Sequence, residues 1–183
     1  MVIVITGPIA SGKSTVSREL ARQLNLAGTR TVVIDLDVVH DQLATDGSAD
    51  EDTWALARHA AATMASGHLA DGAAVVIADG SFNRPGDRAQ FARSLDPGVE
   101  PRYVTLLASF DEALRRALGD SSRGRSRDPA FLGPYFVAVT DVIATAPATD
   151  VVIDTEQMPP AVAVAEIASR LGLRVAPRGR DAG

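Results

Sequence analysis

The apolar run Val2-Ile3-Val4-Ile5 passes directly into Gly7-Pro8-Ile9-Ala10-Ser11-Gly12-Lys13-Ser14 and then into an amphipathic stretch, Val16 to Leu26. Nothing else in the chain restricts its fold so strongly. Strand, glycine-bounded loop and helix form the setting in which G-x-x-x-x-G-K-[ST] holds phosphate groups. Gly7 and Gly12 let the loop curl until backbone N–H groups point at an anion, and the first helical turn adds its own unpaired donors and the positive end of its dipole. The binding set expected here is Gly7, Ile9, Ala10, Ser11, Gly12, Lys13, Ser14 and Thr15. Lys13 is expected to reach the β- and γ-phosphates and so to be catalytic, with the Ser14 hydroxyl as a magnesium ligand. Of the 18 basic residues, 17 are arginine, and Lys13 is the single lysine.

Val16, Leu20 and Leu24 recur at helical spacing between Arg18, Glu19, Arg22 and Gln23, which predicts a helix with one face on a sheet. Thr31-Val32-Val33-Ile34 is a β-branched run suited to a strand buried on both faces, and it closes in Asp35-Leu36-Asp37. Val38 to Leu43 reads as a short helix, Thr45-Asp46-Gly47-Ser48 as a loop, and Trp54 to Leu69 as an Ala-rich helix capped by Asp52 or Thr53. A third strand, Ala73 to Ala78, ends in Asp79-Gly80-Ser81-Phe82; a turn at Arg84-Pro85-Gly86 leads to a helix from Asp87 to Leu95. Tyr103 to Leu107 is the fourth strand, and Ser109 or Asp111 caps the helix carrying Leu114 and Leu118. Gly119 to Asp128 is polar and Gly- and Arg-rich, the composition of a mobile loop. Pro129 opens a helix that Gly133-Pro134 breaks or restarts. Val151-Val152-Ile153 is the fifth strand, and Pro159-Pro160 opens a last helix through Leu171. Residues 173–183 form a tail, frayed from 177.

Apolar strands alternating with helices predict right-handed crossovers and one α/β domain over residues 1–172, its parallel sheet covered on both faces. Ligands of such sheets gather beyond the carboxyl ends of the strands. Those ends carry the phosphate loop, Asp35/Asp37, Asp79/Ser81, Ser109 with the Arg-rich loop beyond it, and Asp154/Thr155.

Asp35 and Asp37 lie two residues apart, so on an extended backbone both carboxylates point the same way and repel unless a cation or proton lies between them. Their expected work is separate: Asp35 orients magnesium, directly or through water, and Asp37 accepts the proton of an attacking hydroxyl. Either one instead serves as N-cap of the following helix. Asp79 ends a strand where an acid fixes a hydrated metal, or where a turn is capped. Arg123 and Arg127, with Arg125 next, are placed to close over phosphate oxygens and spread transition-state charge, whereas Arg115 and Arg116 read as a solvated face. Arg84 and Arg88 either grip an anionic substrate or lie on the surface. His40, His59 and His68 have no metal-ligand spacing, and Trp54 reads as core.

With 23 acidic residues against 18 basic ones the chain carries a net charge of −5, which offers no broad cationic surface to nucleic acid. It contains no cysteine, which excludes disulfides, thiolate metal sites and a cysteine nucleophile. No apolar stretch reaches the roughly 20 residues of a membrane span, and the first strand lacks the basic segment of a signal peptide. A cytoplasmic protein acting on a small molecule is expected.

On Gly7 to Ser14, the acid pair after the second strand, Arg84/Arg88, the segment Ser121 to Asp128 and the closing Val151 to Thr155, the chain resembles P-loop small-molecule kinases of the nucleotide monophosphate kinase fold. Shikimate, gluconate and adenylylsulfate kinases and chloramphenicol phosphotransferase belong to this group. The resemblance spans about residues 1–172. It implies a three-layer P-loop NTPase fold with a five-stranded parallel sheet, Mg-ATP, a closing Arg-rich lid at about 119–128, and transfer of the γ-phosphoryl group to a hydroxyl. It also implies that backbone near Asp154 and Thr155 lies beside the adenine. Where shikimate kinases have three glycines after the third strand this chain has Asp79-Gly80-Ser81, which argues against shikimate as substrate. A nucleoside or nucleotide acceptor stays open, as does a regulatory ATPase switch. A guanine-specific switch is excluded, because its N-K-x-D segment needs a second lysine.

Overall fold

The computed structural model describes residues 1–44, 50–121, 123–144, 147 and 150–176. The expected loop at 45–48, Ser122 of the expected lid and the frayed end of the tail lie outside the described residues.

Five strands form one parallel sheet in the order β2-β3-β1-β4-β5: β1 Val2–Thr6, β2 Thr31–Asp35, β3 Val75–Asp79, β4 Pro101–Leu107 and β5 Val151–Asp154. β1 is central and buried at all five positions. Its period of two sends Val2 and Val4 to one face and Ile3 and Ile5 to the other, so a single strand feeds two cores. On the Ile3/Ile5 face lie α1 (Lys13–Leu26) and α7 (Pro160–Arg170), packed through Val16, Leu20, Leu24, Val164 and Ile167. The opposite face takes α2 (Leu36–Leu43), α3 (Glu51–Ala70) and α4 (Pro85–Ser94) through Leu36, Ala57, Ala61, Phe82 and Phe91.

A third, smaller core joins α5 (Phe110–Leu118) to α6 (Pro129–Ala144) through Ala113, Ala117, Leu132 and Phe136, and it includes Ala10 of the glycine loop. The helices that flank the Arg-rich segment are thereby packed onto the loop itself. Within that segment Arg125–Arg127 forms one 3₁₀ turn.

Several boundaries move. α2 begins at Leu36, because the Asp35 carboxylate accepts the Asp37 and Val38 amides at 3.1 and 3.4 Å and caps it. α3 is capped by Asp50, whose side chain accepts the Thr53 amide at 2.7 Å, not by Asp52 or Thr53. Ser109 caps α5. α6 runs through Pro134 without a break. A proline there forfeits one intrahelical bond, and Leu132 and Phe136, both buried in the third core, hold the helix on either side. Among the described residues no helix is long and apolar enough to cross a membrane.

Candidate active site

The glycine loop has the conformation its residues demand. Gly7 has φ 146°, and a β-carbon there would stand 2.4 Å from the Leu106 carbonyl oxygen and 2.9 Å from Ser11 Oγ. Gly12, at φ 92°, is the N-cap of α1. The Thr15 and Val16 amides donate to Gly12 O at 3.1 and 3.0 Å, so the Lys13 and Ser14 amides before them belong to the helix's unpaired first turn. Of the expected set, Ser11 already spends its amide closing a turn onto Pro8 O at 3.2 Å, and its side chain is wholly buried with the hydroxyl unpartnered among the described residues. Lys13 Nζ donates to Gly7 O and Pro8 O at 3.1 and 3.0 Å, across the mouth of the cradle. Burial pulls the Lys13 ammonium below the ordinary lysine value, Asp37 and Asp79 push it back up, and Arg123 adds to the fall.

Three carboxylates face this lysine. Asp35 and Asp79 are register partners on neighbouring strands. Asp79 is buried and accepts a short hydrogen bond from the Ser17 hydroxyl of α1. Desolvation raises its carboxyl to about 6 against the pull of that bond. Asp35 caps α2 through Oδ1 and meets Arg18 through Oδ2 at 3.6 Å. The expected parallel pair on extended backbone is therefore corrected: the chain turns helical at Leu36, and Asp37 rides the first turn of α2. The Asp37 side chain keeps contact with water on one side while protein closes round it on the others. That crowding raises its carboxyl above the usual range, with Lys13 opposing.

On the other side of the loop a cavity of about 450 Å³ is lined by Gly12, Thr15, Arg116, Arg123, Thr155 and Pro159 among others. Arg116, expected on a solvated face, is its clamp: it donates to Glu112 at 2.6 Å, Thr155 O at 2.8 Å, Thr155 Oγ1 at 3.0 Å and Ala10 O at 3.3 Å. Arg115 does lie on a solvated face, bonded to Glu112. Thr155 lines the cavity, whereas the Asp154 carboxylate accepts the Glu156 amide at 2.9 Å and closes its own turn. Arg123 enters the cavity wall with Asp120 bound to its Nε at 3.1 Å. Arg125 lies over the Phe131 ring, and Arg127 is exposed on the 3₁₀ turn.

The face beyond Asp37 is polar and largely spoken for. Arg88 is not on the surface: it donates to Asp150 at 2.7 Å, Phe82 O at 3.0 Å and Thr105 Oγ1 at 3.1 Å, and stacks on Tyr103. Arg84 is exposed and reaches Glu51 at 3.6 Å. Buried Arg58 bonds Glu51 and Gln90 and lies 3.5 Å from Asp87. Tyr135 of α6 hydrogen-bonds Ser81, the Ile9 backbone and Asn83, and burial raises its phenol above the ordinary value. It thus ties the phosphate loop to the turn after β3. His40 stacks on Trp54 with ring centroids 3.8 Å apart. Arg58, Arg116, Tyr135 and Asn83 are absent from the sequence-derived set; none belongs to a local motif, and Asn83, three residues beyond Gly80, was the nearest to a signal.

The AAA domain family matches residues 2–130. The chain belongs to that family. It is 28% identical over 178 residues to a shikimate kinase of Pseudomonas syringae pv. syringae, covering 92% of this chain and 95% of that protein. In fold it is similar to a sugar kinase from Janibacter sp., with TM-score 0.72, 16% identity and 94% of each chain covered. It is similar also to a tunicamycin resistance protein of Deinococcus radiodurans, with TM-score 0.70, 19% identity, and 96% of this chain and 98% of that one covered. Family, whole-length likeness and shared fold place this AAA domain among the P-loop small-molecule kinases.

Proposed function

We propose that the protein transfers the γ-phosphoryl group of Mg-ATP to a hydroxyl of a small molecule. The observation that carries this reading is the geometry at the mouth of the glycine loop, where Lys13 spans Gly7 O and Pro8 O and the adjoining ends of β2 and β3 bring Asp35, Asp37 and Asp79 to face it. The triphosphate lies along the loop, on the Lys13 and Ser14 amides, with its base in the cavity walled by Arg116, Thr155 and Pro159. A β-carbon at Gly7 would fill the space the loop needs, which fits a backbone built to curl round phosphates. The magnesium ion that accompanies ATP draws much of its shell from phosphate oxygens and water. Ser14, Asp35 and Asp79 would hold that ion, which neutralises charge on the phosphates.

Asp37 takes the acceptor's proton as its oxygen bonds to the γ-phosphorus. The bond from that phosphorus to the bridging oxygen breaks, and ADP leaves. Lys13 and Arg123 stabilise the charge passing to the leaving group, with Arg127 joining them if the segment 119–128 closes as a lid. A regulatory ATPase needs no proton acceptor on the side away from the nucleotide, and Asp37 favours the kinase. The test is ADP release with and without a panel of alcohols: acceptor-dependent release supports the reading, and release indifferent to every alcohol refutes it.

A further inference from the structure

We infer that the acceptor is an uncharged polyhydroxylated molecule, not a carboxylate or a phosphate ester, because the buried arginines walling the acceptor side, Arg58 and Arg88, are already paired with carboxylates of the protein. The inference rests on the kinase reading above and names the substrate class of that site.

The acceptor side is built by α2, α3, the turn between β3 and α4, α4 itself and α6. Among the described residues these elements carry four arginines: Arg58, Arg84, Arg88 and Arg93. Arg93 is exposed in the last turn of α4, at the helix end remote from the site. Arg88 spends three donors on Asp150, Phe82 O and Thr105. Its partner Asp150 is 2% exposed, so turning Arg88 toward a substrate anion would strand a buried charge. Arg58 is 4% exposed and held by Glu51, Asp87 and Gln90. Arg84 is 67% exposed and reaches the same Glu51 only at 3.6 Å, a surface pair that an anion can break, so Arg84→Ala enters the test beside Arg127→Ala.

What remains to meet an acceptor is Asp37 and a set of neutral groups. Ser81, Asn83 and the Tyr135 hydroxyl are interlinked, Asn83 donating to Ser81 Oγ at 3.2 Å and accepting from Thr6 Oγ1 at 2.9 Å. Hydroxyls and amides of this kind recognise alcohols and carbonyls. An anion placed among them would face Asp35, Asp37 and Asp79 as well as the donor's phosphates, a repulsion that selects against it. The cations nearest the loop, Lys13 and Arg123, belong to the nucleotide side, Arg123 with Asp120 on its Nε. Of the two exposed lid arginines Arg125 lies over the Phe131 ring, which leaves Arg127 to serve an anionic acceptor, so it enters the test.

The experiment measures kcat/KM for acceptors paired by skeleton and differing in charge: a nucleoside with its 5′-monophosphate, an aldose with its aldonic acid, a cyclitol with its carboxylate. Magnesium-ATP uptake is measured alongside by calorimetry. The neutral member is expected to lead the anionic one by ~100-fold or more in any pair that is used. Glu51→Gln releases Arg84, while Arg58 stays on Asp87 and Gln90, and is expected to narrow that ratio by ~10-fold, whereas mere structural damage lowers both members alike. An anionic acceptor used as well as its neutral partner overturns the inference, and its loss in Arg127→Ala or in Arg84→Ala would then name that arginine as the source of the cation. Use of no member of any pair, with Mg-ATP bound normally, overturns it too. Failure to take up Mg-ATP at all would instead bring down the kinase reading beneath it.

Discussion

The two sides of the phosphate loop use arginine in opposite ways. On the nucleotide side Arg116 fastens the loop to the turn after β5 through Ala10 O, Thr155 O and Thr155 Oγ1 while Glu112 holds its Nε, and Arg123, bound to Asp120, lies close enough to Lys13 to repel it. The carboxylate partners there are 20% and 45% exposed, so a polyanion can draw on these arginines without stranding a buried acid. On the acceptor side Arg58 and Arg88 are buried against carboxylates, and their charge is cancelled before any ligand arrives. The same side chain is a receptor in one half and a rivet in the other. What separates them is the partner, not the residue type.

The sharpest way to break this comparison is to remove the nucleotide side's central cation. Lys13→Ala is expected to lower kcat about 1000-fold, the range for losing one preorganised donor to transition-state charge. Its folding should survive, since an ammonium depressed by burial is no net aid to stability. Activity within tenfold of wild type would show that this cation serves something else.

Asp37→Asn comes next, with an expected loss of about 300-fold in kcat, in the range for a general base. Magnesium-ATP affinity should stay within about threefold. Because crowding raises the Asp37 carboxyl, wild-type turnover should climb with pH as the group ionises, and the variant should lose that limb. Equal losses of binding and turnover would move Asp37 from base to structural support.

How far this division was readable in advance depends on distance along the chain. The cradle was legible because Gly7, Gly12, Lys13 and Ser14 act within eight residues of one another, and the five strands because β-branched runs such as Thr31 to Ile34 need only their own pattern. The acceptor wall was not. Arg58 meets Gln90 32 positions away, Arg116 meets Thr155 39 away and Arg88 meets Asp150 62 away. Helical spacing around Arg116 predicts exposure until the fold brings Thr155 and Ala10 to it. Asp35 is a smaller case of the same kind: a cap was one of two readings open for the acid pair, and the turn into helix at Leu36 decides for it.

A third effect concerns stability. Folded Asp79 keeps its proton up to about pH 6, while 3.8 is the ordinary value, so ionisation costs the folded state. Its contribution is fully present below about pH 3.8 and is lost as pH rises through 6. Asp79→Asn, which can still accept from Ser17, should therefore unfold at higher urea than wild type at pH 8, by about 2–3 kcal/mol in the absence of nucleotide, with the gap closing toward pH 4. An unchanged gap across that range would mean that Asp79 is ionised at no cost, and that Ser17 and Lys13 already balance it.

The smallest effect is the most discriminating, because it compares two adjacent residues of one helix. Arg115 and Arg116 both bond Glu112, yet Arg115 is 71% exposed and Arg116 25%. An exposed pair at i, i+3 contributes little, so Arg115→Ala should leave KM for ATP and the unfolding midpoint nearly untouched. Arg116→Ala removes a donor from Ala10 O in the loop and two from Thr155 in the cavity wall. The loop's curl is fixed by its glycines and the lysine remains, so chemistry should persist. The wall against which the base packs should loosen, raising KM for ATP about tenfold with kcat changed less than threefold, the signature of lost uniform binding. If kcat falls as far as KM rises, Arg116 holds the cradle in its reactive shape, and the boundary between anchoring and catalysis must be drawn on the other side of α5.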